Sequence, residues 1–363
     1  MSSENIIKYE PVSSKEATST FADGIGTSLL PQLESDIESV RRPTVAIMSV
    51  GEMGLGIAGL MSKYSYPVIT SLEERSEKTK AHAAMVGVKD VPFDDLPFVA
   101  DIFLSIVPPA AAQATALRVV SAYKNANGRI RSHKSRPLVF MDLNAISPAL
   151  SQTIGLTLQE SGVIFVDGAI IGFPPRPIND GDDIWFRPSI PVSGPELKSA
   201  IGDPWAEHFS SLLKLHHVGA DLGAASGLKM CFGAMYKGQA AVATQAYTTA
   251  QNLGVLPALR AHMLEYFPHT TPIIEGSIIG SQRKAYRWIR EMEEIEETFV
   301  SMGGWEPELF RGVKDVFKLV SQQTDLQKDP KMEVQDVTRD ICGGLQNGRC
   351  VSRLQRSAIR KLQ

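Results

Sequence analysis

The feature that most constrains this chain is a short apolar run, Val45-Ala46-Ile47-Met48. It passes directly into Ser49-Val50-Gly51-Glu52-Met53-Gly54 and then into a helical pattern. A buried strand, a tight turn and a helix start in that order form the phosphate-binding unit of a dinucleotide site. Gly51 lets the backbone approach a pyrophosphate, and Gly54 lets the helix pack closely on the strand. The helix start adds unpaired N–H groups and the positive end of its dipole. Ser49 stands where the usual pattern has its first glycine. An ordinary glycine turn would look similar, but the position at the first strand of an alternating series favours a dinucleotide. Ser49, Gly51, Glu52, Met53 and Gly54 are therefore the first cofactor-binding candidates.

Apolar runs at Thr44–Ser49, Pro67–Ser71, Ile102–Val107, Leu138–Leu143, Val163–Ala169 and Ile190–Ser193 read as strands. Their continuity suits parallel strands covered on both faces. Helical stretches near 53–63, 75–86, 110–124 and 147–161 lie between them, which gives a doubly wound α/β domain of the Rossmann type over 43–220. Strand signals stop after about residue 221. One long Ala- and Met-rich helix over 223–252 spans about 45 Å at 1.5 Å per residue. Helices near 257–266, 281–302 and 305–321 complete an all-α domain over 221–325. In the second of these, Trp288, Met292, Ile295, Phe299 and Met302 form one stripe while Glu293, Glu294 and Glu297 face elsewhere. Residues 1–42 read as a flexible extension and 326–363 as a polar tail.

The choice of dinucleotide turns on the end of the second strand. An NAD enzyme offers an acidic side chain to the ribose hydroxyl about twenty residues after the turn. Here the sequence is Thr70-Ser71-Leu72-Glu73-Glu74-Arg75-Ser76. Arg75 suits a 2′-phosphate bidentately and Ser71 and Ser76 can donate to it, which favours NADP. Glu73 and Glu74 stand against this, since either suits a 2′-hydroxyl.

Five segments, the Gly51 turn among them, follow in one order. They are the Gly51 turn; Ala100–Pro109 with Ser105-Ile106-Val107-Pro108; Val139–Ala145 with Asp142-Leu143-Asn144; Phe165–Gly172 with Asp167-Gly168-Ala169-Ile170-Ile171-Gly172; and Gly223–Met230 with Ser226-Gly227-Leu228-Lys229. Together they resemble the β-hydroxyacid dehydrogenase superfamily, which includes 3-hydroxyisobutyrate and 6-phosphogluconate dehydrogenases and the related imine reductases. The resemblance covers about 43–322, and Lys284–Ile295 is similar to a phosphogluconate-dehydrogenase-like branch. It implies that Val107-Pro108 closes over the nicotinamide side, that Asn144 lies near nicotinamide and substrate, and that Ile171 and Gly172 line the substrate pocket. It also implies that Lys229 transfers the proton. A partly buried lysine can have its pKa lowered toward neutrality, as that role needs. Tyr236, two turns on, either orients substrate and donates a proton or is a packed aromatic. Arg287 and Trp288 are further substrate candidates by the same resemblance, Trp288 also belonging to the core stripe.

The chain departs from the family at two places. Ile170-Ile171-Gly172 replaces a serine-glycine-glycine anion loop, and Gly233 stands where an asparagine follows the lysine by four. Both changes remove polar groups, so a less polar substrate is expected. The stiff segment Phe173-Pro174-Pro175-Arg176-Pro177 is either a rim or a covered loop. The leading expectation is an NADP(H)-dependent carbonyl/hydroxyl oxidoreductase, the alternative an NADPH-dependent imine reductase, and the third reading a non-catalytic NADP-binding sensor. Retained Lys229 argues for the first.

A net charge of −3 gives no reason to expect nucleic acid. Three cysteines and the pair His216-His217 have no metal-ligand spacing, so no metal is expected. No apolar stretch is long enough to span a membrane, and Glu4, Glu10, Glu16 and Asp23 disfavour a mitochondrial presequence, so a cytoplasmic location is expected. A homodimer through the helical domain is implied by the resemblance.

Overall fold

The computed structural model describes residues 40–125, 137–178 and 184–347. The expected extension lies outside the described residues except for its last three positions. These are anchored: Arg41 donates to both carboxylate oxygens of Asp101, and Arg42 lies over the ring of Trp205.

The first domain is built on β1 (Val45–Met48), α1 (Glu52–Lys63), β2 (Val68–Thr70), α2 (Glu77–Met85), β3 (Lys89–Asp90), β4 (Ile102–Ser105), α3 (Ala112–Lys124), β5 (Val139–Asp142), α4 (Pro148–Gln159) and β6 (Ile164–Gly168). A hairpin of β7 (Arg176–Pro177) and β8 (Trp185–Phe186), then β9 (Ile190–Ser193), α5 (Asp203–Leu213) and β10 (Leu215–Gly219), complete it. The main sheet has the order β10-β9-β6-β5-β4-β1-β2-β3. Successive residues of each inner strand alternate between two cores. Val45, Ile47, Ile102, Leu104, Val139 and Met141 face one; Ala46, Phe103, Phe140 and Phe165 face the other. Burial on both faces is why these strands read as unbroken apolar runs.

All six expected strands form, and β1, β2, β4, β5 and β6 are parallel. The sixth differs in direction: β9 pairs antiparallel with β6, and β10 then adds parallel to β9. Between β6 and β9 the described residues form the antiparallel β7–β8 pair and, among them, no crossover helix. The strand order reverses at β1, whose neighbours are β2 and β4. In an open α/β sheet such a switch point leaves a crevice beyond the carboxyl ends of the strands.

The second domain begins with α6 (Ala224–Asn252), followed by α7 (Leu256–Tyr266), α8 (Thr270–Ser281), α9 (Ala285–Ser301) and α10 (Glu308–Gln322). Its core gathers Met230, Ala240, Tyr247, Ile278, Trp288, Met292, Ile295, Phe317 and Val320. The polar segment after residue 325 is not a tail through its described part. Leu326, Val334, Val337 and Ile341 are buried in the same core, and 334–347 is helical. Val334, Val337, Ile341 and Leu345 recur at helical spacing, a signal outweighed by the polar composition around them; burial in the second core shows that they form its face. Glu294 also differs from its reading as an outward residue. It is buried, accepting from the Ser147 N–H at 2.9 Å and from Arg290 at 2.6 Å, and so joins the two domains.

Candidate active site

The Gly51 turn sits at the carboxyl end of β1. Leu55 N–H donates to Gly51 O at 2.8 Å, and Gly51 caps α1 in an extended conformation with no side-chain cap. The first N–H groups of α1 therefore point into the crevice without a partner from a cap. A Cβ at Gly51 would meet nothing within 4 Å, so the turn is open to a ligand. A Cβ at Gly54 would lie 2.0 Å from the Ser49 carbonyl oxygen, so this position admits only glycine. Glu52 is exposed, and Met53 packs against the core beneath the helix.

At the end of β2, Ser71 is buried and its Oγ has no partner within hydrogen-bond distance, although it lies close enough to Glu73 to help hold that carboxylate ionised. Glu73 is already engaged. Arg118 donates to it at 2.8 Å and the Phe93 N–H at 3.2 Å, and these bonds lower its pKa. Glu74 is exposed in a left-handed conformation, φ 58°. Arg75 is exposed with no side-chain hydrogen bond or ion pair among the described residues. Ser76 caps α2, its Oγ accepting the Thr79 N–H at 3.3 Å. An open turn, a buried hydroxyl and an exposed guanidinium fit the phosphates of a dinucleotide, and Glu73 is engaged by Arg118 and the Phe93 N–H.

Beyond β4 the backbone continues through Ile106-Val107-Pro108 next to the turn, with Ser49 N–H donating to Ile106 O at 3.2 Å. Asn144 fixes this segment. Its Oδ1 accepts the Val107 N–H at 2.7 Å while its Nδ2 donates to Ser105 Oγ at 3.0 Å and to Asp142 at 2.9 Å. The amide donors are thus committed within the protein, and Asn144 holds the segment after β4 in place through Val107. Asp142 beneath it is fully enclosed. Desolvation raises its carboxyl to about 7, with the neighbouring charge of Asp167 adding to that and the Asn144 hydrogen bonds opposing it.

Asp167, next to last in β6, fastens the start of α6. It accepts from Gly223 N, Ser226 N, Ser226 Oγ, Ser151 Oγ and Ser193 Oγ, all between 2.5 and 3.1 Å. A carboxylate at this helix terminus complements the dipole. Gly223 has φ 98°, and its missing side chain lets Pro148 lie against the backbone. That junction fixes where Lys229 falls, one and a half turns further on.

Lys229 Nζ donates to Ile170 O at 2.8 Å, in the loop leaving β6. Its pKa is lowered to about 8, chiefly by desolvation and also by the Lys237 and Arg287 charges, with Glu291 opposing them. Ile171 bridges Ser189 through a reciprocal backbone pair, and Gly172 adopts φ 133° against Pro188. The loop that follows is partly covered. Pro175 lies on α1 at Gly56, where a Cβ would meet its carbonyl at 2.7 Å, while Phe173 stays exposed under the Lys284 ammonium at 5.3 Å.

The remaining candidates separate. Arg287 is exposed and acts on Lys229 by charge. Trp288 is buried in the helical core, edge-on to Phe317 at 4.9 Å, and presents its other side to Tyr236 at 6.1 Å. Tyr236 is partly exposed, and desolvation raises its phenol pKa. Gly233 is buried, facing Ile295 and the Lys237 ammonium. The sequence reading missed the pair that fills this face: Lys237 is buried and ion-paired with Glu291. The spacing of Lys229, Gly233 and Lys237, four residues apart on one helix face, was the available signal. Among the described residues no group of three or more His, Cys, Asp or Glu side chains is placed to hold a metal, and no helix is long and apolar enough to cross a membrane.

Comparison with known proteins agrees with this architecture. Residues 250–320 match a domain of unknown function, DUF1932. An uncharacterized 28.5 kDa protein of Methanothermus fervidus is 27% identical over 285 residues, covering 76% of this chain and 100% of the relative. Human mitochondrial 3-hydroxyisobutyrate dehydrogenase is 24% identical over 137 residues, only 35% of this chain and 36% of that enzyme. The solved structure of Mycobacterium tuberculosis 3-hydroxyisobutyrate dehydrogenase with L-serine superposes with a TM-score of 0.58 at 17% identity, covering 82% of this chain and 99% of that one. The chain has the two-domain 3-hydroxyacid dehydrogenase fold, with a Rossmann-like sheet followed by a helical region.

Proposed function

We propose that this chain is an NADP(H)-dependent oxidoreductase acting at a carbonyl or hydroxyl carbon of a small molecule, with Lys229 as general acid/base. The observation that carries this reading is the Lys229 amine, brought to about 8 and bonded to Ile170 O in the loop leaving β6, a strand parallel to the β1 that ends in the Gly51 turn. Gly51 and the α1 terminus would hold the pyrophosphate, and Ser71, Arg75 and Ser76 the 2′-phosphate. The nicotinamide supplies the hydride chemistry when bound. Val107 and Pro108 would flank it, and Asn144 holds that segment in place. Lys229 gives a proton to the substrate oxygen during reduction and takes it back during oxidation. Arg287 lies near enough by charge to orient an anionic substituent, and Tyr236 borders the same helix face.

Thermal unfolding with NADPH and with NADH at equal concentration tests the cofactor. A ligand at 100 times its Kd stabilises the fold by about 2.7 kcal/mol. A shift with NADPH alone is expected. An equal or larger shift with NADH would reject NADP in favour of a Glu74 contact, and no shift with either would reject the reading itself. Lys229→Ala is expected to keep the NADPH shift and lose most substrate-dependent NADPH oxidation.

Exposed Phe173 and half-buried Ile171 beside the site favour a second reading, reduction of a C=N bond in an apolar substrate. Turnover that survives Lys229→Ala on imines but not on carbonyls would select it. We further propose that a second copy of the chain covers α6, where Leu228, Phe232, Met235 and Val242 are 43%, 50%, 78% and 61% exposed along one stripe. Contiguous apolar exposure of this kind marks an interface in a protein that is otherwise globular.

A further inference from the structure

Gly233 leaves a vacancy on the face of α6 that carries Lys229. A Cβ there would sit 3.2 Å from Ile295 Cδ1 and 3.6 Å from Lys237 Nζ. The Lys237 ammonium occupies that space, one turn beyond Gly233 and two beyond Lys229. It is buried, paired with the equally enclosed Glu291 of α9 and lies 5.9 Å from the centre of the Trp288 ring. A buried ion pair is costly to desolvate and seldom the most stabilising filling for a core. Its position at the reactive amine gives it another use.

We propose that the buried Lys237–Glu291 pair, seated in the space opened by Gly233, governs proton exchange at Lys229 Nζ. It rests on the reading of Lys229 as the proton-transfer group and adds the device that tunes it. The charged groups acting on Lys229 among the described residues are Lys237 from its own helix and Glu291 and Arg287 from α9, while the loop after β6 presents the Ile170 carbonyl. Lys237 and Arg287 disfavour a second ammonium, Glu291 favours it, and Glu291 is itself held ionised by Lys237 against its burial. The two members of the pair therefore push Lys229 in opposite directions, and the balance is set by their separate distances from it. Lys237 and Glu291 are positioning residues: they act through Lys229.

Competitive acetylation with acetic anhydride, from pH 6 to 11, reads the Lys229 midpoint from the labelled peptide by mass spectrometry without substrate or cofactor. The full chain is expected to titrate near 8. Lys237→Met should raise the midpoint by about one unit and Glu291→Gln should lower it by a similar amount. Lys237→Arg keeps the charge and should leave it near the native value. Helix loosening would move every variant toward an ordinary lysine, so shifts in the same direction for Lys237→Met and Glu291→Gln overturn the proposal, as does no shift in either. Where Lys237→Met fails to fold, Glu291→Gln and Lys237→Arg decide by the same signs. The labelling result is independent of turnover, so a Lys229 that titrates as expected but whose loss leaves activity intact would sink the catalytic reading alone.

Discussion

Gly51 and Gly54 stand three residues apart in one turn under opposite constraints. A side chain at Gly51 meets open space, and its φ of −77° suits any residue. Gly51→Ala should change stability by less than about 1 kcal/mol while abolishing the NADPH-induced thermal shift, because the methyl group occupies the pyrophosphate's approach. Gly54→Ala places a carbon 2.0 Å from a backbone oxygen, so α1 must move off β1, at about 3 kcal/mol in urea unfolding. Lys229 bears a different cost. Its folded pKa of about 8 lies below the ordinary 10.5, so at neutral pH the folded state carries the full penalty of a buried ammonium. Between about 8 and 10.5 the unfolded chain binds more protons, and stability rises with pH as that penalty is relieved. Lys229→Met is therefore expected to raise stability at pH 7 by about 1–3 kcal/mol, allowing for the lost Ile170 hydrogen bond, with the gain vanishing above pH 10.5. A variant no more stable at pH 7 than the parent would contradict the desolvated amine.

At the scale of elements, the fit between β6 and α6 decides where the amine lands. The Asp167 carboxylate gathers donors from α4, β9 and the first turn of α6, so it replaces a helix cap and couples three elements. An amide cannot accept from all of them, and its own N–H groups would face hydroxyls and N–H donors. Asp167→Asn should cost about 3 kcal/mol and loosen the α6 start, seen as faster hydrogen exchange at Gly223 and Ser226. Unchanged exchange there would show that packing of Pro148 on Gly223, and not the carboxylate, holds the junction.

For the whole molecule, two expectations concern surfaces. The segment after residue 325 contributes Leu326, Val334, Val337 and Ile341 to the second core, each worth roughly 1.5–3 kcal/mol on burial. Truncation after 325 should therefore unfold the helical domain, read by loss of its cooperative transition; a truncated chain with an unaltered melt would show that α6–α10 suffice. The α6 stripe concerns assembly. Met235→Lys with Val242→Lys should give a monomer by analytical ultracentrifugation with little change in Tm, since neither side chain supports the chain's own core. A parent chain that sediments as a monomer would remove the dimer.

What the sequence determined by itself is the part whose signal is local. Strands buried on both faces must be apolar at every position, so the Rossmann-type alternation was legible from Thr44 onward. The Gly51 turn and the length of α6 were legible because glycine geometry and Ala-rich composition act within a few residues. The Lys229 position was legible only through the order of motifs it shares with a known family. Tertiary structure decided the rest. Lys237 finds Glu291 across 54 positions and Ser147 finds Glu294 across 147, and a charged residue on an amphipathic helix has the same pattern whether it meets water or a buried partner. The antiparallel β9 and the docked 334–347 helix were settled likewise, by surfaces that exist only once distant elements have packed.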